Sequence, residues 1–230
     1  MFQNKVKHAC TILVTIIFLL IPLTVSAEMP ISIDGYFDDW SDKPHTAFYY
    51  DIYNSAEAKN VALFSDDKYL YGHIKMSDLV GSFGSYTMYL CINNSYYIKL
   101  VILCTDDNHV INWDKFIEYT PPGIHFDLAV FNNEDYSELL GNTALVVYNS
   151  DRHPADDVEF SVDYEKLRKH CNNIPISEIQ TITMTCPSLG SQSITLSNTS
   201  TAPFIGIIVT LLVIGFVLLY RNYRHSGKSL

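Results

Sequence analysis

Tyr69-Leu70-Tyr71-Gly72-His73-Ile74-Lys75-Met76 is the stretch from which the fold can be read. In an extended chain Leu70, Gly72, Ile74 and Met76 share one face and Lys75 lies on the other, a period of two that a helix cannot satisfy. The segment predicts a strand with Leu70, Ile74 and Met76 turned to the core. Short runs of the same kind, rich in β-branched and aromatic residues, surround it at Val61 to Ser65, Tyr86 to Ile92, Tyr96 to Cys104, His125 to Phe131, Ala144 to Tyr148, Val158 to Val162, Thr181 to Thr185 and Ser193 to Leu196. Polar clusters separate them. Asn93-Asn94 between two runs reads as a tight hairpin turn, because Asn tolerates positive φ. The helical pattern that stands out is Tyr164 to Cys171, with Asp163 placed to cap it and Lys166, Arg168 and Lys169 near its end. The expected fold is mainly β: a two-sheet antiparallel β-sandwich, jelly-roll-like, with one short helix.

Outward from this domain, both ends of the chain are apolar. A basic start (Lys5, Lys7) leads through Ala9 to Leu23 to the small residues of Val25-Ser26-Ala27, the pattern of a signal peptide over 1–27 cut before Glu28. Ala202 to Tyr220 is an uncharged stretch, about 28 Å long as a helix, which suits a transmembrane helix. Arg221, Arg224 and Lys228 follow it, so the tail 221–230 is expected in the cytoplasm and the β domain, residues 28–196, outside, joined to the span by a Ser/Thr-rich spacer over 197–201. The expected location is the cell membrane, single-pass.

All 25 Asp and Glu but only 10 of the 15 Lys and Arg fall in the exported part, leaving it at a formal charge of −15. Such a surface repels nucleic-acid phosphates; a cation, a neutral glycan or a basic protein fits it better. Cys91, Cys104, Cys171 and Cys186 remain after the signal, as buried thiols or as disulfides in one of three pairings. No Cys/His cluster calls for zinc. Asn93-Asn94-Ser95 and Asn198-Thr199-Ser200 match the short glycosylation pattern.

Ile31-Ser32-Ile33-Asp34-Gly35-Tyr36-Phe37-Asp38-Asp39-Trp40, then Phe64 to Tyr71 with Met76-Ser77-Asp78, and finally Asp157-Val158-Glu159-Phe160-Ser161-Val162, form a set. The set resembles the family 9 carbohydrate-binding modules, which open on Ile-Asp-Gly with an Asp-Trp shortly after and carry a Glu-Phe step before a short helix. The resemblance implies a β-sandwich and a non-catalytic binding role. It also implies structural calcium as the candidate cofactor, with Asp34, Asp38 and Asp39, or the pairs Asp66-Asp67 and Asp106-Asp107, as candidate oxygen ligands. The competing reading makes the opening motif structural: Gly35 permits a turn, Asp39 caps backbone donors and Trp40 closes one end of the sandwich.

Sugar binding needs exposed aromatic faces. Trp113, in Asn112-Trp113-Asp114-Lys115, is the candidate platform with Asp114 beside it, and Tyr119 or Tyr97 is the candidate second ring; the alternative is that Trp113 only covers a sheet edge. Thr195 to Pro203, the span and the basic tail resemble the Firmicu-CTERM sorting region of Gram-positive bacteria, which implies handling by an exosortase-like enzyme and release or attachment to the envelope after processing. No Leu-Pro-x-Thr-Gly motif is present. Neither Gly-x-Ser-x-Gly nor His-Glu-x-x-His occurs, so no catalytic residues are assigned and the chain is not read as an enzyme. The functional expectation is a surface-displayed module binding an envelope or exopolysaccharide glycan; the alternative is a structural or adhesive surface protein that binds another protein.

Overall fold

In a computed structural model the chain is described over residues 30–50, 57–79, 81–134, 136–148 and 155–197. The expected signal peptide, the span 202–220 and the tail 221–230 lie outside them. Among the described residues no helix is long and apolar enough to cross a membrane. The architecture below is that of the unit beginning at Ile33.

The strands are β1 His45–Phe48, β2 Lys59–Ser65, β3 Tyr69–Lys75, β4 Thr87–Ile92, β5 Tyr96–Cys104, β6 Gly123–His125, β7 Leu128–Asn132, β8 Leu139–Val147, β9 Asp157–Asp163, β10 Thr181–Thr185 and β11 Ser193–Ser197. One four-residue α-helix, α1 Tyr164–Leu167, continues as a 3-10 turn over Arg168–Cys171. Asp163 caps it as expected, its side chain accepting from Glu165 N at 2.8 Å. β11 takes in Ser197, the first residue of the expected spacer, by pairing it with Thr181.

Two separate sheets were expected. The strands instead form one continuous antiparallel path, β1-β2-β3-β9-β8-β7-β5-β4-β10-β11, with β6 also on β8. The reason lies in β8, which changes partner along its length. Ala129 and Val130 of β7 pair with Asn142 and Gly141, whereas Thr143 to Val146 pair with Phe160 to Asp157 of β9. Gly141 makes this crossing feasible, since a Cβ there would fall on the carbonyl oxygen of Ser161. The path then curls so that its ends approach: Tyr49 N donates to the Gln192 side chain at 2.7 Å and Ser191 N to Tyr49 O at 3.2 Å. The result is an antiparallel sheet nearly closed into a barrel.

One core fills the interior. Leu70, Ile74, Val158, Phe160 and Val162 from one half of the path meet Leu90, Ile92, Leu100, Ile102, Ile182 and Met184 from the other. Leu70, Ile74 and Met76 are buried as the alternation predicted. Gly72 has a packing role: the ring of its cross-strand partner Phe160 occupies the space above it. Asn93 and Asn94 both take left-handed φ, 51° and 55°, as a two-residue hairpin requires.

Two strand readings change. His125 to Phe131 is not one strand: β6 pairs with the end of β8, β7 pairs with β5, and Asp127 between them accepts from Thr105 N and pairs with Lys115. β3 is also buried on both faces, because Tyr71 and His73, on the face expected toward solvent, are covered. All four described cysteines are thiols, three of them buried, and burial pushes Cys171 and Cys186 up to about 11.

Candidate functional site

The cover over β3 is the opening segment. Glu159 of β9 is wholly buried, and its carboxylate accepts from Asp34 N at 2.7 Å, Gly35 N at 2.6 Å and Trp40 Nε1 at 3.0 Å. Desolvation raises the Glu159 pKa against the opposing pull of these three donors. Trp40 does not close an end of the fold; it lies over the outer face of β3, stacked on His73 at 5.2 Å, with Phe37 against the same ring at 5.1 Å. His73 Nε2 meets Asp157 Oδ1 at 2.5 Å. The opening motif is thus bound by a buried carboxylate and a buried imidazole on neighbouring strands.

Of the acidic residues considered for calcium, Asp34 spends Oδ1 on Tyr36 N, and Asp38 and Asp39 open the 3-10 turn that carries Trp40. Asp66 and Asp67 lie in the β2–β3 turn. Asp66 accepts from Lys68 N and Tyr69 N, both at 2.7 Å, and from the Tyr71 hydroxyl at 2.9 Å. Burial works to raise its pKa, but these donors outweigh it and hold the carboxyl below its usual range. Among the described residues no group of three His, Cys, Asp or Glu is gathered around a point that could hold a metal ion.

A groove of about 400 Å³ opens elsewhere, beside β7 and β8 and the connection that follows β5. Its lining includes His109, Ile111, Trp113, Phe131, Tyr136 and Leu139. One wall comes from the connection after β5. Asp106 Oδ1 accepts from Asn108 N and Val110 N, both at 2.9 Å, and closes a lobe whose corner, His109, takes φ 59°. Thr105 then bridges back to Ile111, and a turn at Asn112, whose carbonyl accepts from Lys115 N, carries Trp113 outward.

The other wall comes from the β7–β8 turn. Asn132 accepts from Glu134 N through its side chain and from Tyr136 N through its carbonyl, and Tyr136 takes φ 58°. A shift of register between Val130 and Phe131 lies just before it, a device that re-aims side chains. The rings of Trp113 and Tyr136 meet edge to face at 5.4 Å and 89°, a near-perpendicular aromatic pair. Beneath them Val101, Ala129 and Phe131 form a small apolar cluster of their own, packed by Leu103, Ile111 and Leu139. Trp113 is 61% exposed. Two non-glycine residues in left-handed backbone on one groove form the kind of strain that collects at binding sites.

Of the residues named for sugar binding, Trp113 lines this groove and Asp114 adjoins it, its N–H donating to the Asn112 side chain at 3.1 Å. Tyr119 is more exposed still but packs edge-on to Phe116 away from it. Tyr97 stands on the β4–β5 surface opposite Cys91, whose thiol, as a hydrogen-bond partner, raises its pKa. The ring that meets Trp113 is Tyr136, which sequence reasoning passed over. A mark was present, since the polar turn Asn132-Asn133-Glu134 follows a strand, but nothing in it ties that turn to Trp113. Asn93, one of the glycosylation candidates, uses its amide nitrogen to donate to Glu178 O at 2.8 Å and its oxygen to accept from Gln180 N and Thr181 N. Asn198 lies outside the described residues. No family model, curated protein or solved structure matches this chain.

Proposed function

We propose that the domain is a non-catalytic module that binds a glycan in the Trp113–Tyr136 groove. The observation that carries this reading is the exposed aromatic pair itself: a sugar ring stacks its C–H face on an aromatic ring while neighbouring polar groups take its hydroxyls. The groove volume suits one or two sugar rings, near the low end of ligand sites at about 300–1,000 Å³. The signal-like start and the apolar span 202–220 support display outside the cell on a membrane anchor, and the tripartite end supports processing by an exosortase-like enzyme. The ligand is then a polysaccharide of the producing cell's own envelope or surroundings.

The test is a glycan-array screen of the detergent-solubilised full chain, run with calcium and with chelator, beside Trp113→Ala and Tyr136→Ala. Binding lost in both variants with unchanged melting supports the reading, and a calcium requirement would bring the acidic residues of the opening motif into it. A folded chain that retains nothing removes the glycan reading. A second reading, a protein-binding surface, is favoured by a different observation: Phe116, Tyr119, Ile124 and Phe126 stand exposed along the β5–β7 connection. Crosslinking on intact cells that captures a protein through this connection, with no sugar dependence, would select it.

A further inference from the structure

The chemistry of the groove narrows the sugar, on the premise that the groove is the glycan site. Its deeper parts are apolar: Phe131 is buried, and Ile111 and Leu139 are half-buried. Its polar side-chain atoms belong to the exposed residues His109, Trp113, Tyr136 and Ser137. An unsubstituted hexopyranose carries hydroxyls around its ring. Any hydroxyl pushed against Phe131, Ile111 and Leu139 would leave water without a partner there, a loss worth a factor of roughly 5 to 150 in affinity. A ring carrying a methyl-ended substituent, an acetamido or acetyl group or the methyl of a 6-deoxy sugar, fills the same space with carbon and keeps its remaining polar groups at the rim.

Charge narrows it further. Among the described lining residues none carries a permanent charge, so no lysine or arginine lines the groove to answer an anionic sugar; Asp114 stands beside the groove, not in its lining. The exported part as a whole, at −15, also repels polyanions. We infer that the groove selects an uncharged pyranose bearing a methyl-ended substituent, seated with its ring on Trp113 and its methyl toward Phe131, Ile111 and Leu139.

The experiment is calorimetric titration of the detergent-solubilised full chain with three neutral probes: a β-1,4-linked N-acetylglucosamine trimer, the glucose trimer of the same linkage, and an oligosaccharide of 6-deoxyhexose. Binding of a methyl-bearing probe at least tenfold tighter than the glucose trimer, lost in Trp113→Ala, supports the inference; which of the two binds identifies the source of the methyl group. Ile111→Thr and Leu139→Thr, which place a hydroxyl in the methyl seat, should reduce that preference severalfold with melting temperature held. Leu139 is half-buried at the first position of β8, so that variant keeps the test open if Ile111→Thr misfolds. Equal affinity for all three probes, or a preference that both Thr variants leave unchanged, overturns the inference and leaves the glycan reading standing. A folded chain that binds none of the three, and nothing on the array, overturns both.

Discussion

Trp40 Nε1 donates to Glu159 Oε2 at 3.0 Å across 119 residues of chain, and this bond joins the opening motif to the middle of β9. The other oxygen of the same carboxylate holds the backbone of Asp34 and Gly35. One buried side chain therefore fixes a turn, an indole and, through the indole, the packing over His73. Glu159→Ala leaves three donors without their acceptor and is expected to cost about 3 kcal/mol or more, read by urea denaturation. Glu159→Gln keeps one acceptor oxygen but turns an amide toward either the indole N–H or the backbone donors, and is expected to cost about 1–3 kcal/mol. Two variants within 0.5 kcal/mol of the parent would show that the carboxylate is not what fastens the opening segment.

The pH dependence of stability has an identifiable source in His45. Its ring stands edge-on to His73 at 5.7 Å, and partial desolvation, then the neighbouring imidazole, hold its pKa below 6.5. A histidine whose folded pKa is lowered takes its proton more readily when unfolded. Its contribution is therefore intact above 6.5 and lost as pH falls from 6.5 through the lowered folded value. Thermal melts from pH 7.5 to 5 should show a steeper decline for the parent than for His45→Gln. Parallel curves would assign the acid sensitivity to other groups.

Glu159 acts with the opposite sign. Desolvation raises its folded pKa above 4.5, so the folded chain binds the proton first and stability falls as pH rises through the interval between 4.5 and that raised value. The gap between the parent and Glu159→Gln is accordingly expected to widen as pH falls through the same interval. A gap independent of pH would contradict the raised value.

Gly141 stands where β8 leaves β7 for β9. Because an added Cβ meets the backbone oxygen of Ser161, not a movable side chain, Gly141→Ala forces the two strands apart. An overpacking cost of about 1–3 kcal/mol is expected, seen as a lower urea midpoint. Retained stability would mean that β8 can cross without the close approach.

At the hairpin, Asn93 and Asn94 share a backbone conformation but not a role. Asn93 bonds three backbone groups around Glu178 to Thr181, so Asn93→Ala should cost about 1–2 kcal/mol. Asn94→Gly, which only relieves a left-handed φ, should be neutral or slightly stabilising. The comparison is made by paired thermal melts, and equal losses would place the stabilisation in the turn geometry alone.

Much of the fold was legible because alternation is local. β5 and β10 have the bounds that their runs of residues predicted, and Leu70, Ile74 and Met76 face the core that their spacing demanded. β1 was missed because four residues, His-Thr-Ala-Phe, are too few to show a period. The first part of β8 was missed because Gly141 and Asn142 read as loop residues, and only the approach to Ser161 explains a glycine there. At the groove, Trp113 stood out as an exposed aromatic in a polar stretch, whereas its partner ring lies 23 positions on in a different turn.

By itself the sequence determined the β class, the hairpin at Asn93-Asn94, the cap on α1 and the acidic balance, since each follows from residues in contact along the chain or from a sum over it. The tertiary structure alone decided that the sheet is one nearly closed path and not two layers, that Glu159 holds Trp40, and that Tyr136 faces Trp113. Those three depend on which strands pair and on where β8 changes partner. Pairing is settled by burial summed over the whole core, a quantity that no single stretch of residues carries.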